Sequence, residues 1–139
     1  DEPFVIGYGD TLTNVNLTAM LETHQRVGQV ATIGLFRAEN PSACGIVTLD
    51  EAGVVRNFVE KPEAPESDLA FGGIIIANAG IFDYLPDRTP SDLGKDVLER
   101  LVNNMAGWEL KDTYLRDIGT LESYELAQQE VPKIRFNTP

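Results

Sequence analysis

Cysteine is nearly absent. Cys44 stands alone in 139 residues, which excludes a disulfide framework and a thiolate metal site. Basic residues are scarce too: 11 Lys and Arg face 22 Asp and Glu, a formal net charge of −11. No basic run exists to neutralise the phosphates of a polynucleotide, so a nucleic-acid groove is excluded. No apolar stretch nears the roughly 20 residues of a membrane-spanning helix, and no secretory leader is expected. A reducing, cytoplasmic setting is the expectation.

What is present is an ordinary globular composition, 42% hydrophobic and 24% charged, which suits a compact domain rather than a disordered tail. Residues 1–139 fit one domain, long enough to bury roughly two thirds of the unfolded surface. Strand-like and helix-like stretches alternate. Residues 4–9 read as a strand that ends at Asp10 and a polar turn. Asn16 or Thr18 can cap a helix carrying Leu17, Met20, Leu21 and His24, and Gly28 ends it. Residues 29–37 read as a second strand. Residues 44–49 and 54–59 form a hairpin around Asp50-Glu51-Ala52-Gly53, and a Pro/Glu-rich surface loop follows. Residues 72–81 read as a central strand and 92–105 as a helix. Residues 107–115 read as paired strand segments, and 120–129 as a last helix. This alternation predicts an α/β chain with a mixed, mainly parallel sheet and an inserted hairpin.

Two aspartates stand out. Asp10 and Asp117 each close an apolar run and precede small or turn-forming residues, the place where open α/β sheets hold ligands. Brought together, two carboxylates suit Mg²⁺, which shares its shell with substrate phosphates. Val59-Glu60-Lys61-Pro62 is the densest local signal, because Pro62 stops strand pairing just after two charged residues. A carboxylate there can accept hydrogen bonds from two sugar hydroxyls, and the adjacent ammonium can meet a phosphate as a point charge. Other residues read as structural. His24 lies near a helix C-terminus, where a partly exposed imidazolium is favoured by the dipole. Cys44 reads as a small half-buried side chain, Asp92 and Asp96 as helix-start residues, and Trp108 and Tyr114 as packing under the last strands.

Five motifs occur in an order that resembles the sugar-1-phosphate nucleotidyltransferases. They are Gly9-Asp10 with Leu12, Gly45-Ile46-Val47 leading into the hairpin, Glu60-Lys61-Pro62, Asn78-Ala79-Gly80-Ile81-Phe82, and Asp117-Ile118-Gly119-Thr120. The resemblance runs from Phe4 to about Gln129. It implies part of a three-layer α/β/α nucleotide-diphospho-sugar transferase fold, which is Rossmann-like. It also implies that Asp10 and Asp117 are catalytic and hold Mg²⁺, that Glu60 binds sugar hydroxyls, and that Lys61 binds the sugar phosphate. Gly45 would let the sugar approach the backbone, and Asn78 and Gly80 would complete the sugar site. Gly72-Gly73 competes with that last segment for the close approach, without its Asn and Ala.

The reaction implied is in-line attack of a sugar 1-phosphate oxygen on the α-phosphorus of a nucleoside triphosphate, with pyrophosphate leaving. Overall resemblance favours a manno-configured sugar and a guanylyl donor. The family's Gly-rich triphosphate loop, with its Arg and following Pro-Lys, is not in these residues. The resemblance therefore covers the C-terminal, sugar-phosphate part of a longer enzyme, with an exposed sheet edge suited to homo-oligomer contacts. Non-catalytic sugar-phosphate binding, or assembly alone, is the alternative role. The chain alone is expected to be inert, so a pyrophosphate-release assay with Mg²⁺, a nucleoside triphosphate and hexose 1-phosphates should give no turnover.

Overall fold

The computed structural model describes residues 2–136. In chain order the elements are β1 (Phe4–Gly7), β2 (Thr11–Thr13), α1 (Leu17–Val27), β3 (Ala31–Arg37), β4 (Gly45–Leu49), β5 (Val55–Glu60), β6 (Leu69–Ala77), β7 (Met105–Glu109), β8 (Leu115–Asp117) and α2 (Leu121–Glu130). Short helical turns occupy Ala79–Tyr84 and Leu93–Leu98. Six strands form one sheet in the order β5-β4-β6-β3-β7, with β1 also paired to β6. The strands β2 and β8 form a separate two-stranded ribbon.

The centre is β6, all nine residues of which are buried. A strand covered on both faces reads as a continuous apolar run, which is how Leu-Ala-Phe-Gly-Gly-Ile-Ile-Ile-Ala reads. Its side chains still alternate. Ile74 and Ile76 pack with Met20 of α1 on one face. Ile75 and Ala77 join Ile33, Leu35, Val97, Leu98 and Leu101 on the other. Helical segments thus cover both faces, as a three-layer α/β arrangement requires.

One expectation needs correcting. The sheet is mixed and carries the inserted hairpin, but it is not mainly parallel: among the described residues β3–β7 is its one parallel ladder. β6 runs antiparallel to β1, β3 and β4. Parallel neighbours need long crossovers, and residues 92–105 do not supply a full helix. They make one wide turn, in which the Glu99 N–H donates to the Gly94 carbonyl at 3.2 Å. The chain then breaks at Asn103, whose φ is 72°. Residues 107–115 likewise do not pair with each other, because β7 pairs with β3 and β8 with β2.

The helix ends follow their capping residues. Asn16 Oδ1 accepts the Ala19 N–H at 3.0 Å, and Gly28, at φ 65°, returns its N–H to the His24 carbonyl. His24 is not at the surface. One turn from Met20, it shares that residue's inward face, is 2% exposed, and its Nδ1 lies 3.0 Å from Thr32 Oγ1. Among the described residues no helix is long and apolar enough to cross a membrane, and β6 is the one strand partner of β1.

Because Ile75 is fully buried in the central strand, Ile75→Ala should cost about 2–5 kcal/mol of stability. Val5→Ala, at a half-exposed position of β1, should stay within about 0.5 kcal/mol. Urea unfolding of both variants measures the contrast.

Candidate functional site

A cleft opens where β1 and β4 share one edge of β6. β1 pairs with β6 only as far as Gly7 opposite Ile74, and β4 pairs with β6 at Ile46 opposite Ala70. Phe71, Gly72 and Gly73 lie between them and line a cleft of about 400 Å³. On its other edge β6 bulges here. Two β3 steps, from Ile33 to Leu35, span four β6 steps, from Ile75 to Phe71. A bulge of this kind bends a strand and re-aims its neighbours. Gly73 has φ 74°, and a Cβ on it would sit 2.6 Å from Thr11 Oγ1, so a side chain is excluded both by conformation and by space.

The first wall carries the aspartates. Asp10 follows β1, and Asp117 closes β8 and stands opposite Thr11 in the ribbon. The Ile118 N–H donates to the Asp10 carbonyl at 2.8 Å. The Gly119 N–H donates to Asp117 Oδ1 at 2.7 Å, and Ser123 Oγ donates to the Asp117 carbonyl. A Cβ on residue 119 would lie 3.0 Å from Asp117 Oδ1 and 3.4 Å from Asp10 Oδ2, so both carboxylates flank the same small residue. Thr120 caps α2, its side chain accepting the Ser123 N–H. Arg116 grips Glu130 with two bonds of 2.7 Å, and Tyr114 adds a third at 2.8 Å. This fastens the ribbon to the end of α2.

The second wall carries Glu60 and Lys61. Gly45 stands opposite Glu60 across the β4–β5 ladder. A Cβ on Gly45 would meet Phe58 Cζ at 2.7 Å and Glu60 Oε2 at 2.8 Å. Burial pushes the Glu60 carboxyl above its ordinary value, with Lys61 pulling it back and Asp92 adding to the rise. Lys61 has φ 50° directly before Pro62, a left-handed conformation that is costly for a side-chain-bearing residue and crowded further by the proline ring. Its N–H donates to the Cys44 carbonyl at 3.0 Å, which holds the turn. Cys44 also lines the cleft, and its thiol is pushed up by burial and then by Glu60 and Asp117.

Asp10, Gly45, Glu60, Lys61 and Asp117 therefore meet in one cleft, but Asn78 and Gly80 do not. Asn78 lies five residues beyond Gly73, roughly 17 Å along a strand. Its Nδ2 donates to the Gln29 carbonyl at 3.2 Å, and its N–H to the Val30 carbonyl. Gly80 packs near Val30. Phe71-Gly72-Gly73 occupies the cleft floor instead. The Gly72-Gly73 pair was the sequence signal that pointed there.

Tyr8 is the residue that sequence reasoning missed. Its ring meets Phe71 edge-on at 5.5 Å, and Phe71 packs on Phe58 at 6.3 Å. A short aromatic ladder thus runs from the core to the cleft. The Tyr8 hydroxyl is pushed up by burial, then by Glu60, Asp92 and Asp10.

Among the described residues no three His, Cys, Asp or Glu side chains form a metal cage. A two-carboxylate site fits Mg²⁺, which keeps waters and phosphate oxygens in its shell, better than it fits a cation that needs a full protein cage.

A family profile described as Nucleotidyl transferase matches residues 1–134. Among curated proteins, the chain is 27% identical to the Drosophila melanogaster mannose-1-phosphate guanylyltransferase catalytic subunit beta, over 96% of this chain and 38% of that protein. It is 32% identical to a Desulfitobacterium hafniense glucose-1-phosphate adenylyltransferase, over 94% and 35%. It is 34% identical to a Synechocystis UTP–glucose-1-phosphate uridylyltransferase, over 75% and 28%. The chain thus spans about a third of the length of these relatives. A Bacillus anthracis crystal structure, of a protein assigned as a glucose-1-phosphate thymidylyltransferase and solved with sucrose, superposes with a TM-score of 0.78. It is 21% identical, over 98% of this chain and 57% of that one. That likeness establishes the fold.

The rise at Glu60 has a consequence for stability. The folded chain holds that proton more tightly than the unfolded chain. The ionised side chain therefore costs stability as pH climbs from the ordinary glutamate range, about 4.3, through the raised folded value. Glu60→Gln should raise the melting temperature at pH 7, and the gain should shrink as pH falls towards about 4. Thermal unfolding at both pH values checks the sign.

Proposed function

Since the chain belongs to the nucleotidyl transferase family, we propose that its cleft is the sugar-phosphate side of a sugar-1-phosphate nucleotidyltransferase site. The observation that carries this reading is the meeting of Asp10, Gly45, Glu60, Lys61 and Asp117 around one open floor. The overall reaction joins a sugar 1-phosphate to the α-phosphorus of a nucleoside triphosphate and releases pyrophosphate. The named relatives act on both mannose and glucose 1-phosphates and carry three different bases. The proposal is accordingly the hexose 1-phosphate class.

Each side chain then has a task. Glu60, poorly solvated beside Gly45, accepts hydrogen bonds from sugar hydroxyls, which replace the water it has lost. Lys61 pairs its ammonium with the sugar phosphate. Gly45 and the Gly72-Gly73 floor let the sugar lie against backbone. Asp10 and Asp117 would hold Mg²⁺. When bound, that ion neutralises phosphate charge and orients the reacting oxygens. With little covalent work left to the protein, alignment of the two phosphates and charge stabilisation supply most of the acceleration.

Calorimetric titration with glucose 1-phosphate and mannose 1-phosphate, with and without Mg²⁺, tests the reading. At least one should bind, and Asp117→Asn should remove the dependence of binding on Mg²⁺. Lys61→Gln, which deletes a charged hydrogen bond, should weaken binding roughly ten- to a hundredfold. Absence of binding by either sugar phosphate at millimolar concentration would remove the proposal.

A further inference from the structure

The Glu60 carboxylate is confined on two sides by residues that have no side chain. Gly45, in the neighbouring strand, forms one side. Gly94, in the wide turn Leu93–Leu98, forms the other: a Cβ on it would lie 2.8 Å from Glu60 Oε2 and 3.1 Å from Glu60 Cδ. The same carboxylate oxygen would thus meet an added methyl from either direction at 2.8 Å.

The turn is the rigid partner in this contact. Asp92 Oδ1 accepts the Lys95 N–H at 2.9 Å, and Asp96 Oδ2 accepts the Asp92 N–H at 2.7 Å. Arg88 pairs with Asp96 at 2.5 Å. Val97 and Leu98 are 1% and 0% exposed and anchor the turn in the core. Glu99 Oε1 also accepts the Glu60 N–H at 3.4 Å, so the turn touches Glu60 at its backbone as well. Against these fixed groups, the end of the Glu60 side chain is what can move.

We propose that Gly94 is a positioning residue: its missing side chain sets where the Glu60 carboxylate stands in the cleft. The backbone at 94 does not require glycine, since it is not among the positive-φ positions. An alanine there would meet Asp92 Oδ1 at 3.2 Å but Glu60 Oε2 at 2.8 Å, so the Glu60 carboxylate is the group that must leave its position. Gly45 is a poorer probe, because a methyl on it also strikes the buried Phe58 ring at 2.7 Å. The proposal rests on the reading of Glu60 as the acceptor for sugar hydroxyls.

The test is a double-mutant cycle read by calorimetry with whichever of glucose 1-phosphate and mannose 1-phosphate the unmodified chain binds. Gly94→Ala should weaken binding about tenfold, the loss of one charge-assisted contact. In a Glu60→Ala background it should weaken binding no further. The pH titration of the Glu60 Cδ resonance should also shift in Gly94→Ala. Equal losses in both backgrounds would overturn the proposal, since Gly94 would then act without Glu60. So would loss of the fold in Gly94→Ala, which would put the strain in the backbone. A Glu60→Ala variant that binds normally would overturn both this proposal and the reading of Glu60. A weakened Glu60→Ala beside an unaffected Gly94→Ala would overturn this one alone.

Discussion

One hydrogen-bonding constraint organises this molecule: a single edge of β6 is shared by two strands that do not reach each other. A buried peptide group must be paired, and a strand edge can pair with only one neighbour at a time. Where β1 stops and β4 has not begun, the backbone at Phe71, Gly72 and Gly73 is left to face something else. The Tyr8 N–H takes the Gly73 carbonyl at 2.9 Å, and the rest forms the floor of the cleft. Both walls inherit their positions from this gap. β1 delivers Asp10 to one rim, and the β4–β5 hairpin delivers Glu60 and Lys61 to the other.

The electrostatics of the cleft follow from what those strands deliver. Three carboxylates, Asp10, Glu60 and Asp117, line it together with one cation, Lys61. Such a lining repels a bare phosphate, which is why a divalent cation belongs in the functional reading. The chain also carries costs at the same place. Glu60 is half-buried with its charge disfavoured, and Lys61 holds a left-handed backbone before a proline. Strain and perturbed titration thus gather at one cleft, which supports the proposed reading of that cleft.

Local features of the fold were readable from sequence because local chemistry decides them. Asn16 and Gly28 bound α1, and Asp50 and Gly53 shape the hairpin, whatever the rest of the chain does. Strand direction was not readable, because a fully buried strand is apolar along its whole length whichever way its neighbours run. The same uniformity placed the cleft floor seven residues from the expected segment: a run with Gly72-Gly73 near one end and Gly80 near the other offers two placements, and only the bulge opposite Ile33 and Leu35 separates them. The apolar spacing from Leu93 to Val102 satisfies a helix, yet the chain makes one wide turn and leaves it at Asn103. Asp10, Glu60 and Asp117 were recognisable as strand-end carboxylates. Tyr8 and Gly94 were not, since each matters through contacts made far along the chain.

The β2–β8 ribbon has a further consequence. It is three residues long, lies outside the main sheet, and is tethered through Arg116 and Tyr114 to Glu130. Short ladders of this kind open at far lower free energy than a buried sheet. A molecule held by Asp10 and Asp117 on one rim and by Lys61 on the other would fasten the ribbon to the sheet. In such a design the occupant acts as a cross-brace, and the order of residues 115–130 becomes a function of how full the cleft is.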